Sequence, residues 1–120
     1  MVRILRENDV TVVCTGSTYA ALELQALQEL GEALLCEAAH ADPPRLVIDM
    51  SETEFIGSSF IELVVRAWKR IRSRDGAMAL CAVRPFCREV LSVSHLDTIW
   101  MIRTTRVEAV KALATVSGRT

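Results

Sequence analysis

Two short β-branched runs open the chain, Val2 to Arg6 and Val10 to Thr15. The polar residues Glu7-Asn8-Asp9 separate them, a spacing that predicts a β-hairpin. From Thr18 the apolar period lengthens. Ala20, Leu24, Leu27, Leu34, Leu35 and Ala38 recur at three- and four-residue steps, predicting an amphipathic helix that stops before Asp42-Pro43-Pro44. Gly31 weakens that helix without ending it. Leu46-Val47-Ile48 is wholly apolar, as expected of a central strand covered on both faces, and it ends at Asp49.

A polar loop, Ser51 to Gly57, leads into a second helix with Ile61, Val64, Val65, Trp68 and Ile71 on one side, stopped by Asp75-Gly76. Ala77 to Val83 reads as another buried strand. Pro85 suits the first turn of a third helix, with Val90, Leu91 and Leu96 turned inward. Ile99 to Ile102 reads as a last strand, and Thr105-x-x-Glu108 is a capping-box pattern opening a final helix, Val107 to Thr115. The tail Val116 to Thr120 is expected to fray. The order β-β-α-β-α-β-α-β-α requires an α/β fold: a mixed, largely parallel sheet of about five strands with about four helices. Function in such sheets gathers at the carboxyl ends of the strands, here the loop after Ile48 and the helix start after Gly57.

At 120 residues and 51% hydrophobic content, the chain is expected to form a single domain over 1–120. Fourteen basic against fifteen acidic residues leave a net charge of -1, so whole-molecule electrostatics favours neither direct nucleic-acid binding nor an anionic membrane. MVRILRENDV has no apolar stretch long enough for a signal peptide, and no segment has the length for membrane insertion, so a soluble cytoplasmic protein is expected. Cys14, Cys36, Cys81 and Cys87 contain no C-x-x-C pair and read as reduced packing residues. His40 and His95 match no zinc spacing with them, so neither metal nor cofactor is expected. His95 reads as a residue that interacts with a helix C-terminus.

Ser59-x-x-Glu62 fits a second capping box, which leaves the Ser58 hydroxyl exposed beside the positive end of the helix dipole. A phosphate there would add a charge of about -1.5 to -2 and change how a partner docks. Further along the helix, Arg66, Lys69, Arg70, Arg72 and Arg74 form a basic side, read either as a solvated face or as a docking patch for an acidic partner. Glu62 and Arg66 are spaced for one weak i,i+4 pair. The chain has no G-x-S-x-G elbow, phosphate loop or dinucleotide fingerprint, so no enzymatic activity is expected.

The stretch from Leu46 to Ser51, together with Phe55-Ile56-Gly57-Ser58-Ser59, resembles the strand-loop-helix signature of STAS domains, the family of bacterial anti-sigma factor antagonists. The strand Ala77 to Val83, the helix Pro85 to Leu91 and Ser94-His95-Leu96-Asp97 resemble later family segments, so the likeness covers nearly the whole chain. It implies a STAS-like domain that binds an anti-sigma factor or a serine kinase-like regulator, with Ser58 as the candidate phosphoacceptor. Phosphorylation of the corresponding serine weakens that binding in the family. The recognition residues are then Glu52, Thr53, Glu54, Gly57, Ser58, Ser59, Glu62 and Arg66. Gly57 stands where the family usually has aspartate, and Phe60 where a glycine usually follows the serines. The segment Gly16 to Ala20 lacks the acidic residue common at that junction. An alternative from the same resemblance is a cytosolic accessory subunit of a transport system, attached through protein contacts.

Overall fold

The computed structural model describes residues 2–16, 18–19 and 24–114. The hairpin forms as expected: β1 (Arg3–Glu7) pairs antiparallel with β2 (Val10–Cys14), Glu7 opposite Val10. Asn8 and Asp9 have φ of 50° and 63°, the left-handed pair that a two-residue hairpin turn requires. β4 (Arg45–Asp49), β6 (Ala77–Cys81) and β7 (Met101–Arg103) add in parallel, giving the order β1-β2-β4-β6-β7. β4 is central, as its unbroken apolar run predicts. Two two-residue strands, β3 (Thr18–Tyr19) and β5 (Phe55–Ile56), pair with each other outside this sheet.

The inner strands β2, β4 and β6 are largely buried because helices cover both faces of the sheet, whereas β1 is mostly exposed at its edge. Leu46, Ile48, Met78 and Leu80 pack with Leu30 and Leu34 of α1 (Leu24–His40), Phe60 and Val64 of α2 (Ser58–Ser73), and Leu91 of α3 (Pro85–Val93). Val12, Val47, Ala79 and Cys81 pack on the other face with Ala109, Val110 and Leu113 of α4 (Arg106–Ala114). A 3₁₀ turn, Leu96–Thr98, links α3 to β7.

Several sequence expectations need correction. Among the described residues the first helix runs Leu24–His40, and Thr18 and Tyr19 belong to the short strand pair; Ala20 and the tail 115–120 lie outside the described residues. Cys36 is exposed on the outer side of α1, whereas Cys14, Cys81 and Cys87 are buried packing residues; all four are free. Thr105 does cap α4, its Oγ1 accepting from the Glu108 N–H at 3.1 Å. His95 acts through its backbone: it adopts φ 61° beyond α3, and its N–H donates to Ser92 O at 3.0 Å.

Candidate protein-binding site

The loop from Met50 to Gly57 is built by the strand ends beneath it. Asp49 closes β4 with only 7% of its surface exposed; its Oδ1 accepts from the Ser51 N–H at 2.9 Å, turning the chain away from the sheet. Arg106 of α4 reaches Asp49 Oδ2 at 3.5 Å and Glu7 Oε2 at 3.7 Å, tying this turn to the opposite face. The Met50 N–H donates to Cys81 O at 3.0 Å, and Arg84 Nε donates to Ser51 O at 2.9 Å.

Thr53 departs from its assigned role. It is 0% exposed; its hydroxyl donates to Gly16 O at 2.5 Å and adjoins the Thr15 hydroxyl, so it anchors the loop from inside and cannot touch a partner. Cys87 Sγ, beneath, donates to Thr53 O at 3.7 Å. Glu52 and Glu54 are exposed on either side, and Glu52 makes one solvent-screened pair with Arg3 at 3.7 Å.

The second capping box does not form. The short β3–β5 pair holds the chain up to Ile56, and Gly57 then serves as N-cap in an extended conformation, φ -117° and ψ -174°. Helix α2 therefore begins two residues earlier than its capping pattern implies. Ser58 and Ser59 become its first two residues, both exposed, and no side chain caps it. Its first turn carries no carboxylate, so the positive end of the dipole is uncompensated beside Ser58. Phe60 is buried and fixes the helix start to the core. Glu62 and Arg66 are exposed, and no ion pair joins them among the described residues.

Sequence reasoning did not single out the aromatic edge of this surface. Phe55, 49% exposed, stacks edge-on with Phe86 of α3, 48% exposed, at 5.4 Å between centroids. Phe86, Glu89, Val90 and Val93 line an open groove beside it. The helical spacing of Phe86, Val90 and Val93 was the available signal, but the contact with Phe55 joins residues 31 apart.

The thiols near the site are not poised for chemistry. Burial pushes the Cys81 thiol up to about 12, and it also raises Cys14 and Cys87 above the usual value of 9.0. Among the described residues no group of His, Cys, Asp and Glu side chains is arranged to hold a metal ion, and no helix is long and apolar enough to cross a membrane.

A family model described as the STAS domain matches residues 5–109. The chain is similar to an anti-sigma-factor antagonist (STAS) domain protein from Planctomyces limnophilus, at 38% identity and a TM-score of 0.81, covering 95% of this chain and 98% of that one. The Bordetella bronchiseptica protein BtrV, assigned as an anti-sigma factor antagonist, is 28% identical over 88 residues, 73% of this chain and 76% of its own length. The Bacillus cell-fate determinant SpoIIAA, solved in its phosphorylated form, shares the fold at a TM-score of 0.70 and 16% identity, covering 93% and 98% of the two chains.

Proposed function

The chain belongs to the STAS domain family, and from that premise we propose that it is a regulatory protein-binding module acting as an anti-sigma factor antagonist. Its partner is an anti-sigma factor or a serine kinase-like regulator. The recognition surface combines Glu52, Glu54 and Gly57 with Ser58, Ser59, Glu62 and Arg66 of α2, and extends to Phe55 and Phe86.

The observation that carries the reading is the exposure of Ser58 at an uncapped helix start, beside a loop held rigid from within by Asp49 and Thr53. A rigid, exposed loop presents a fixed shape at little ordering cost, which favours binding over catalysis. Ser58 is the phosphoacceptor. A phosphate there is tolerated by the helix N-terminus, while its charge of about -2 opposes docking of the surface that made the contact. Gly57 supplies no carboxylate to position a kinase, so recognition falls to Glu54 and Glu62 on either side. The chain itself catalyses nothing, and it works in the cytoplasm as one domain.

The names of the relatives belong to sigma regulation and set aside the transport-accessory alternative. Co-purification from the native cells tests the proposal. The chain brings down a kinase-type sigma regulator; S58D abolishes the capture, S58A preserves it, and mass spectrometry finds phosphate on Ser58. Equal capture by both variants removes the switch, and recovery of a transporter ATPase alone overturns the function.

A further inference from the structure

β1 is an outer strand of the five-stranded sheet, and among the described residues it pairs on one side only, with β2. Glu7 and Val10 flank the two-residue turn, where a hairpin exchanges both backbone hydrogen bonds, so Arg3, Leu5 and Glu7 turn their N–H and C=O groups toward β2. Ile4 and Arg6 therefore present theirs to the open edge. The helices leave that edge uncovered, since α4 lies over β4 and β6 while α1 packs mainly on α2. Ile4 is 39% exposed there and Leu5 half-buried. A row of backbone groups in this state is a template for a further strand.

The side chains of β1 complement themselves when the strand is reversed. An antiparallel β1–β1 pair with its two-fold axis at Leu5 sets Ile4 against Arg6 of the second copy as a hydrogen-bonded pair, which their outward groups require. Leu5 then faces its own copy, and Arg3 faces Glu7 twice by symmetry, at the non-hydrogen-bonded positions where side chains approach most closely. Charge selects this register. A slip in one direction sets Arg6 on Arg6, and a slip in the other leaves Arg3 opposite Leu5. Within one copy Arg3 and Glu7 make only screened contacts at 3.7 Å, to Glu52 and Arg106, and Arg106 keeps Asp49 when Glu7 turns away. We infer that the open edge of β1 is a homodimer contact, joining the sheets of two copies through an antiparallel β1–β1 pair centred on Leu5. So short a strand buries little area, and the dimer is weak and concentration-dependent.

Sedimentation velocity and amide hydrogen exchange on the full chain test this. The mass rises from 13.3 kDa toward twice that value as concentration increases from about 20 µM to about 1 mM. Over the same range exchange of the Ile4 and Arg6 amides slows at least ~2-fold, while Leu5 and Glu7, already bonded to β2, change less. Ile4→Pro removes an outward donor and no bond to β2, so it keeps the fold and loses the dimer. Arg3→Glu and Glu7→Arg each oppose like charges and weaken association at least ~5-fold, whereas an equimolar mixture of the two associates and R3E/E7R restores the homodimer. A wild-type chain still monomeric at about 1 mM overturns the inference. So does a dimer that Ile4→Pro and both single reversals leave intact, or slowed exchange confined to the helices or β7. Circular dichroism checks each variant, and if Ile4→Pro unfolds, the loss and restoration by the charge exchange decide.

Discussion

Asp49 Oδ2 stands 3.5 Å from Arg106 Nη1, and through this contact α4 fixes the point where the site loop leaves the sheet. The carboxylate is almost wholly buried while the arginine is about one-third exposed, so the cation is what makes the buried charge tolerable. Replacing Arg106 with Met should cost about 1–3 kcal/mol in urea unfolding. Asp49→Asn keeps an oxygen for the Ser51 N–H and should cost less. An unchanged midpoint for Arg106→Met would show that the pair holds nothing.

Thr53 acts on the loop from below. Thr53→Val keeps its shape and removes the hydroxyl that bonds Gly16 O, so stability should fall by about 1–3 kcal/mol, and Thr53→Ser should restore most of it. Amide chemical shifts should move across 50–57 in the valine variant alone. If the serine variant is as perturbed as the valine variant, the methyl group rather than the hydroxyl anchors the loop.

Two glycines separate a close backbone approach from an ordinary packing contact. A Cβ at Gly76 would stand 2.1 Å from Pro44 O, which is backbone and cannot yield. Gly76→Ala should therefore cost about 2–4 kcal/mol. At Gly31 the nearest atom is the flexible end of Leu63, and alanine gains about 1 kcal/mol of helix propensity, so Gly31→Ala should stay within about 1 kcal/mol of the wild type. Thermal melts of the two variants settle the contrast, and equal losses would contradict it.

Alkaline pH should destabilise the fold through its buried thiols. In the unfolded chain the cysteines ionise near 9.0, whereas in the native protein burial raises Cys14 and Cys87 and pushes Cys81 up to about 12. Above 9.0 the unfolded state binds fewer protons than the native state, so stability is fully present below that pH and declines as pH rises toward the native values. Denaturant midpoints taken from about pH 8 to about pH 10.5 should fall, and Cys81→Ala should flatten the slope whatever its effect at pH 8. A slope unaltered by that substitution would place the alkaline sensitivity elsewhere.

Much of the fold was legible because its signals are local. The hairpin turn, the unbroken run Leu46-Val47-Ile48 and the apolar side of α2 each declare one element within a few residues. The site was less legible because its geometry is tertiary. The serine-glutamate spacing suggests a cap at Ser59, yet the pairing of Phe55–Ile56 with Thr18–Tyr19 delivers the chain to the helix through Gly57, two residues earlier. Strands of two residues leave no periodicity to read. Thr53 looks like any polar loop residue until its bond to Gly16, 37 positions away, turns it inward. Likewise Trp68 reads as one more apolar residue, while the fold stacks it edge-on with Trp100 at 6.4 Å and lays Arg72 over it at 5.1 Å.

The most direct measurement is an amide chemical-shift map of the isotope-labelled chain titrated with the purified kinase-type sigma regulator that it captures. Perturbations concentrated in 52–66 and around Phe86, absent when Ser58→Asp is titrated, are the predicted result. A footprint on α4 or the β1 edge, with 52–66 silent, would contradict the account.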